Sequence, residues 1–242
     1  MDVETPPQLV EDLREAQTVV ALTGSGISAE SGVPTFRDAQ TGLWARYDPQ
    51  QLATPEAFMR DQDLVWRWYG WRRGRVGRAE PNPGHYALVE LERKVPNFAL
   101  ATQNVDGLHR RAGSENVLEL HGNILRTICS VERVEVEPPD GEALPLCPNC
   151  GAPLRPDVVW FGEMLPEGIM EAVVEMARNC DVFLSVGTSS LVYPAASLPY
   201  EALSVGATVV EINPEETPLT ARADYTLPGR AGEVLPALAT AL

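Results

Sequence analysis

Short apolar runs recur along this chain, and each is followed by glycine or by polar residues. The runs begin at Thr18, Phe98, Val117, Val182 and Thr208. Continuous apolar runs of this length are typical of strands that are buried on both faces of a parallel sheet. Helix-like stretches separate several of the runs. The pattern therefore predicts an α/β fold with an open, Rossmann-like parallel sheet.

Two stretches depart from the alternation of strands and helices. Residues 38–80 contain an aromatic and arginine-rich segment with helical spacing, and residues 124–158 contain three of the four cysteines. We expect them to form a smaller lobe, composed of a helical insertion and a zinc-ribbon-like module. The large Rossmann-like domain would then comprise residues 1–37, 81–123 and 159–242.

The carboxyl ends of the predicted strands are the expected binding edge, because open α/β sheets bind ligands there. Each predicted strand runs into a polar or glycine residue at that end. These strand-end residues are Gly24, Gln103, His121, Gly187 and Asn213.

The stretch "TGSGISAESG" places Gly24, Gly26 and Ala29 in the spacing of a dinucleotide-binding glycine loop directly after a strand. Glycines allow a pyrophosphate to approach the backbone N–H groups. An acidic residue about 20 positions later, usual in dehydrogenases, is not evident. An ordinary NAD-binding dehydrogenase is therefore a weaker alternative, and a plain tight turn stays open for this motif.

Two further strand ends carry groups suited to chemistry. Gln103, Asn104 and Asp106 form a dense polar set that suits a ribose or a carboxamide, although capping of a helix would also explain them. His121 follows another strand and precedes a glycine. An imidazole in that position is a candidate general base near neutral pH.

The formal net charge of −15 narrows the classes of partner. Nucleic-acid binding needs a broad basic field, and anionic membranes attract basic surfaces, so we expect neither partner. The acidic N-terminal stretch does not resemble a signal peptide. We therefore expect a cytoplasmic protein.

Six motifs of this chain occur in the order found in one known family. They are "TGSGISAESGVPTFRD", "TQNVDGLHRRAG", "ELHGN", "CPNCGAPLRPDVVWFGE", "GTSSLVYPAA" and "INPEETP". The chain thus resembles the sirtuins, the NAD-dependent protein-lysine deacylases. The resemblance implies removal of acyl groups from protein lysines, with nicotinamide and O-acyl-ADP-ribose as products.

The resemblance also assigns roles to individual residues. His121 would be the catalytic base. The residues implied to bind NAD are Gly24, Ser25, Gly26, Phe36, Arg37, Gln103, Asn104, Asp106, Gly187, Thr188, Ser189, Asn213, Glu215 and Ala231. Acylated protein or peptide substrates would lie between two edges, formed by Val159, Trp160, Phe161 and Gly162 on one side and by Val192 and Tyr193 on the other. We expect a monomer.

The metal motif departs from the family pattern. Sirtuins commonly hold structural zinc with two C-x-x-C pairs, and the second pair is present here as Cys147 and Cys150. In the first pair Cys129 is present, but Glu132 takes the partner position. A Cys₃Glu zinc site and the loss of the metal therefore both stay open.

The segment "WRWYGWRRGR" bears on acyl preference. Leu64, Val65, Trp68 and Trp71 have helical spacing, which predicts an amphipathic helix. The resemblance extends to class III bacterial sirtuins, which remove succinyl, malonyl and glutaryl groups. It implies that Ala53 leaves room for a long acyl chain, and that Tyr69 and Arg72 bind its carboxylate. A plain deacetylase, in which these residues are incidental, is the alternative.

Overall fold

The described part of the computed structural model covers residues 5–33, 48, 52–138, 141 and 143–242. Its strands are β1 (Thr18–Thr23), β2 (Asn97–Thr102), β3 (Val117–Glu119), β4 (Gly122–Cys129), β5 (Leu154–Val158), β6 (Val182–Val186), β7 (Thr208–Asn213) and β8 (Tyr225–Pro228). Six of them form a parallel sheet in the order β3-β2-β1-β6-β7-β8. The predicted α/β fold with a Rossmann-like sheet is thus confirmed, and β8 adds a strand that was not predicted.

Helices connect the strands and cover the sheet. They are α1 (Pro7–Glu15), α2 (Ser25–Ser28), α3 (Pro55–Arg60), α4 (Gln62–Val76), α5 (Pro83–Lys94), α6 (Leu108–Ala112), α7 (Ile169–Arg178), α8 (Leu198–Ser204) and α9 (Ala231–Ala241), with 3₁₀ turns at Ala29–Ser31 and Ala195–Ser197. Within the described ranges, none of these helices has the length and apolar character needed to cross a membrane.

Local sequence explains where the central helices begin. The side chain of Asn82 accepts a hydrogen bond from the N–H of Gly84, and Pro83 occupies the first turn of α5, where an N–H is not required. Asp61 accepts from the N–H of Leu64 and so caps α4.

The parallel sheet is buried on both faces, which explains its continuous apolar runs. One face packs against α1, α5 and α9 through residues such as Leu9, Leu88 and Val234. The other face packs against α7 and α8 through residues such as Val173 and Leu198. The loops that carry the predicted binding residues therefore lie at the carboxyl ends of the strands, not on the faces of the sheet.

The antiparallel pair of β4 and β5 forms a second sheet. A separate apolar cluster joins Ile124 and Val158 of this pair to Trp68 and Tyr69 of α4. The predicted helix in the arginine-rich segment is therefore present and packs against the small sheet. The predicted domain boundaries remain predictions.

Candidate active site

Three neighbouring strands bring the predicted nucleotide-binding loops together. Gly24 follows β1, Gln103 follows β2 and Gly187 follows β6, and β1 lies between the other two strands. Backbone hydrogen bonds join the loops, from the N–H of Gly24 to the Val186 carbonyl (3.0 Å) and from the N–H of Gln103 to the Thr23 carbonyl (3.0 Å).

The glycines of these loops allow two backbones to touch. A Cβ atom on Gly26 would lie 2.7 Å from the Cα of Gly187, and one on Gly24 would lie 2.7 Å from the Gly187 carbonyl oxygen. Gly187 has a φ of +59°, and a Cβ there would lie 2.6 Å from the nitrogen of Ile27. Glycine is thus required at the contact between the loops, in addition to any approach by a ligand.

A buried polar cluster lies beside this contact. The hydroxyl of Ser28 donates to Asp106 Oδ2 (2.7 Å) and accepts from the Asn104 side-chain amide (3.1 Å). Burial raises the pKa of the Asp106 carboxyl. Ser28 was not among the residues predicted to bind NAD, although it lies inside the glycine-rich motif. A hydroxyl-bearing residue in that motif was the one feature of the sequence that could have indicated its role.

His121 lies between β3 and β4, at the same edge of the sheet. Its Nδ1 is 3.0 Å from the backbone carbonyl oxygen of Gln103, and burial lowers the pKa of the imidazole. Because a carbonyl can only accept, Nδ1 must carry the proton and Nε2 must be the basic nitrogen. The geometry suits a general base that is neutral at physiological pH.

Of the remaining predicted NAD residues, Thr188, Ser189, Asn213 and Glu215 follow or end β6 and β7, whereas Ser25 follows β1. The Asn213 side-chain amide donates to the Thr188 carbonyl (2.7 Å), so these two loops are joined directly. Ser189 is half-buried, Glu215 and Ser25 are exposed, and Ala231 is buried at the start of α9. Phe36 and Arg37 lie outside the described residues.

The loop after β6 also supplies an observation that tests the fit of a nucleotide. The hydroxyl of Ser190 is buried and has no hydrogen-bond partner among the residues that the structure describes. A ribose hydroxyl or phosphate oxygen at this edge would satisfy such a group. The residues present therefore fit a dinucleotide.

The two predicted peptide edges differ in exposure. Trp160 is buried, whereas the side chains of Phe161, Val192 and Tyr193 are 46%, 39% and 72% exposed. Gly162 is also exposed. The N–H of Val159 donates to the His121 carbonyl (2.9 Å), so the first edge starts beside the candidate base.

The predicted acyl-binding residues lie next to that edge. The N–H of Phe161 donates to the Ala53 carbonyl (2.9 Å), and the indole N–H of Trp160 donates to the Tyr69 hydroxyl (2.9 Å). Arg72 is one helical turn beyond Tyr69, with its guanidinium 5.0 Å from the centre of the Trp68 ring. Burial raises the pKa of Tyr69 to about 12 and lowers that of Arg72.

The segment after β5 is held by an ion pair that the sequence reading did not identify. Arg155 makes two hydrogen bonds to the Glu163 carboxylate, at 2.5 and 2.8 Å, and the guanidinium lies 3.4 Å from the centre of the Trp160 ring. Both residues lie within the motif "CPNCGAPLRPDVVWFGE". Their opposite charges alone did not indicate that they pair, because one lies on a strand and the other on the loop that follows it.

A metal-ligand cluster lies at the far end of the small sheet. The ligand atoms of Cys129, Glu132, Cys147 and Cys150 all lie within 4.8 Å of one another. Cys129 Sγ is 3.5 Å from Cys150 Sγ, and Cys147 Sγ is 3.5 Å from Glu132 Oε2. These spacings and donors fit tetrahedral zinc, with Glu132 as the fourth ligand.

Comparison with known proteins agrees with this geometry. Residues 24–194 match the model of the Sir2 family. The NAD-dependent protein deacylase of Methylococcus capsulatus is 49% identical over an alignment 250 residues long, which takes in 99% of this chain and 98% of that protein. A crystal structure of a Sir2 homologue–NAD complex has a TM-score of 0.93 at 47% identity, covering 99% of this chain and 94% of its own.

A second solved structure, a variant Sir2 homologue in complex with 2′-O-acetyl ADP-ribose, has a TM-score of 0.90 at 48% identity, covering 98% of this chain and 96% of its own. With the family model matched over most of its length and a relative about half identical over nearly all of it, this chain belongs to the Sir2 family.

Proposed function

We propose that this protein is an NAD-dependent protein-lysine deacylase that favours succinyl, malonyl and glutaryl groups and also accepts acetyl. The single observation that best supports deacylase activity is the position of His121, between the glycine loops and the peptide edge. Its Nδ1 is bound to the Gln103 carbonyl and its own carbonyl accepts from Val159. The relatives' names and the bound product in a solved homologue support the same activity.

The roles of the residues follow from this arrangement. Bound NAD would supply the ribose carbon to which the acyl-lysine amide oxygen bonds as the glycosidic bond to nicotinamide breaks, and the ribose hydroxyl that takes the acyl group; one water would replace the lysine nitrogen on the acyl carbon, which releases free lysine. His121 Nε2 would take a proton from a ribose hydroxyl, which lets that oxygen attack the acyl carbon. Val105, half-buried, and Trp160, buried, would keep water away from the reacting sugar. Asn104 and Asp106, held by Ser28, would orient the ribose.

The acidic-acyl preference rests on Ala53, Tyr69 and Arg72. Ala53 and Tyr69 are both buried in one apolar cluster, and the small side chain of Ala53 would leave room there for a longer acyl chain. The Arg72 guanidinium remains charged at neutral pH, because guanidinium groups do not lose their proton there. A guanidinium and a neutral phenol would together bind a carboxylate through charge-assisted hydrogen bonds.

The Cys₃Glu cluster would hold zinc that supports the fold of the small sheet rather than the chemistry. The substrates would be proteins or peptides with acylated lysines. The earlier expectations of a monomer, of no nucleic-acid or membrane partner and of a cytoplasmic location remain predictions.

The test uses one peptide carrying acetyl, succinyl, malonyl or glutaryl lysine, incubated with the full-length protein and NAD. Mass spectrometry would follow the free lysine, nicotinamide and O-acyl-ADP-ribose. We expect all three products, with the dicarboxylic acyl groups removed faster than acetyl. His121→Ala is the control and should release little free lysine. Faster removal of acetyl would instead support a plain deacetylase, and reduction of NAD without nicotinamide release would indicate a dehydrogenase.

A further inference from the structure

The hydrogen bond between Trp160 and Tyr69 fixes the role of the phenol. The indole Nε1 lies 2.9 Å from the Tyr69 hydroxyl oxygen. An indole N–H can only donate, so the phenol oxygen is the acceptor in this bond. Burial raises the pKa of Tyr69 to about 12, so the hydroxyl keeps its own hydrogen at neutral pH. That hydrogen must point away from Trp160.

Trp160 is itself held from two sides. The Arg155 guanidinium lies 3.4 Å from the centre of the indole ring, within the range of a cation–π contact. The Glu163 carboxylate, which pairs with Arg155, also accepts the backbone N–H of Trp160 at 2.8 Å. Arg155 donates further to the Val158 carbonyl at 2.8 Å. The ring and backbone of Trp160 are thus fixed by one ion pair.

The surroundings connect this network to the proposed acyl site. Ala53 and Tyr69 are 3% and 1% exposed and belong to the same apolar cluster as Trp160. The residue after Trp160 donates its N–H to the Ala53 carbonyl. A displacement of Trp160 would therefore move the peptide edge and the acyl site together.

We propose that Trp160 is a specificity-determining positioning residue, whose indole N–H makes Tyr69 a directed donor toward the carboxylate of a dicarboxylic acyl group. Arg155 holds the indole in the orientation that this requires. The inference rests on the proposed acyl preference and adds a reason why the hydroxyl, and not only the guanidinium, selects the carboxylate. Without the indole donor, the hydroxyl hydrogen can turn back toward other acceptors.

Trp160→Phe is the direct test, since it keeps an aromatic ring beside Arg155 and removes the N–H. KM and kcat would be measured for succinyl and acetyl forms of one peptide at saturating NAD. We expect the ratio of kcat/KM for succinyl over acetyl to fall about five- to ten-fold, mainly through the KM of the succinyl peptide. Tyr69→Phe should lower the ratio in the wild-type background and have a smaller effect in the Trp160→Phe background, because the two residues act together.

A second variant keeps the test decisive if Trp160→Phe is poorly folded. Arg155→Lys keeps the charge opposite Glu163 but loses the planar stack on the indole, and it should lower the same ratio by a smaller factor. An unchanged ratio in the Trp160→Phe protein, or additive effects with Tyr69→Phe, would overturn the inference. Arg72→Met separates the two proposals. If it leaves the ratio unchanged, the acidic-acyl preference fails. If it lowers the ratio while Trp160→Phe does not, the inference about Trp160 alone fails.

Discussion

The Nδ1 atom of His121 lies 3.0 Å from the backbone carbonyl oxygen of Gln103. Gln103 follows β2, and the sheet places this carbonyl at the same edge as the turn that carries His121. The backbone thereby determines which ring nitrogen holds the proton and leaves Nε2 as the nitrogen that can accept one, as the proposed role of a general base requires.

The pH profile of the reaction should report this environment. Burial lowers the pKa of His121 from its ordinary value of 6.5. A general base acts in its neutral form, so a lower pKa extends activity toward acidic pH. We expect the acidic limb of kcat/KM for an acyl peptide to have an apparent pKa below 6.5. Steady-state rates from about pH 5 to pH 9 would measure it, and a limb at or above 6.5 would contradict the assignment.

Arg72→Met should reduce desuccinylation at least about ten-fold more than deacetylation, because it removes the proposed charged partner of the acyl carboxylate. The measurement is kcat/KM for both peptides at saturating NAD. Arg75→Met is the matched control, since Arg75 lies on the same helix and its guanidinium is 5.3 Å from the centre of the Trp71 ring. Arg75→Met should change both reactions by a similar factor. Equal losses on both peptides in Arg72→Met would rule out a carboxylate contact.

The strands and the glycine loops could be predicted from the sequence because each depends on residues that are close together along the chain. The strands beginning at Thr18 and Val182 follow from unbroken apolar runs, and the glycine loops follow from their spacing. The pairing of Arg155 with Glu163 and of Trp160 with Tyr69 depends on residues from different elements meeting in space. No local periodicity encodes such contacts. β8 is short and has only one buried residue, so its apolar signal was weak.

Gly187→Ala should destabilise the fold more than Gly32→Ala. Both glycines have positive φ, +59° and +73°, so each alanine carries a similar backbone strain of about 1–2 kcal/mol. A Cβ on Gly187 would also lie 2.6 Å from the Ile27 nitrogen, whereas one on Gly32 meets nothing within 4 Å of its described surroundings. Urea unfolding of the two variants would compare their free energies of unfolding. Similar losses would show that the contact between the loops is not rigid.

We expect the rate at which the Cys₃Glu cluster loses zinc to a chelator to depend on the residue at position 132. Thiolate binds zinc more strongly than carboxylate as a soft ligand, so Glu132→Cys should slow the loss of zinc to a chelator by about ten-fold or more. Metal content before and after incubation with chelator would measure it. Glu135→Ala, at an exposed neighbour outside the cluster, is the control and should retain zinc as the wild type does. Equal retention in all three proteins would exclude Glu132 as a ligand.

His85 and His109 should make the fold sensitive to acid. Burial lowers the pKa of His85 to about 4 and that of His109 to about 3. Below about pH 6.5 the unfolded chain binds protons at both positions while the folded chain does not. The free energy of unfolding should therefore fall as the pH is lowered from about 6.5 to about 4, with a limiting slope of about 2.7 kcal/mol per pH unit for the pair.

Two measurements test whether His85 and His109 stay neutral in the folded protein. Urea unfolding across this pH range should show the loss of stability. The chain has three histidines, so their imidazole proton resonances can be followed individually by NMR. Signals from His85 and His109 that titrate near pH 6.5 would contradict their buried, neutral state.

The contact of Gly24 and Gly26 with Gly187 consists of main chain on both sides. Most surfaces can diverge gradually, as one side chain replaces another of similar size. None of these three glycines has a side chain that could be replaced by one of similar size, so any substitution among them would push the two loops apart. We therefore expect descendants of this protein either to keep glycine at all three positions or to lose the contact altogether, and with it the proposed nucleotide site.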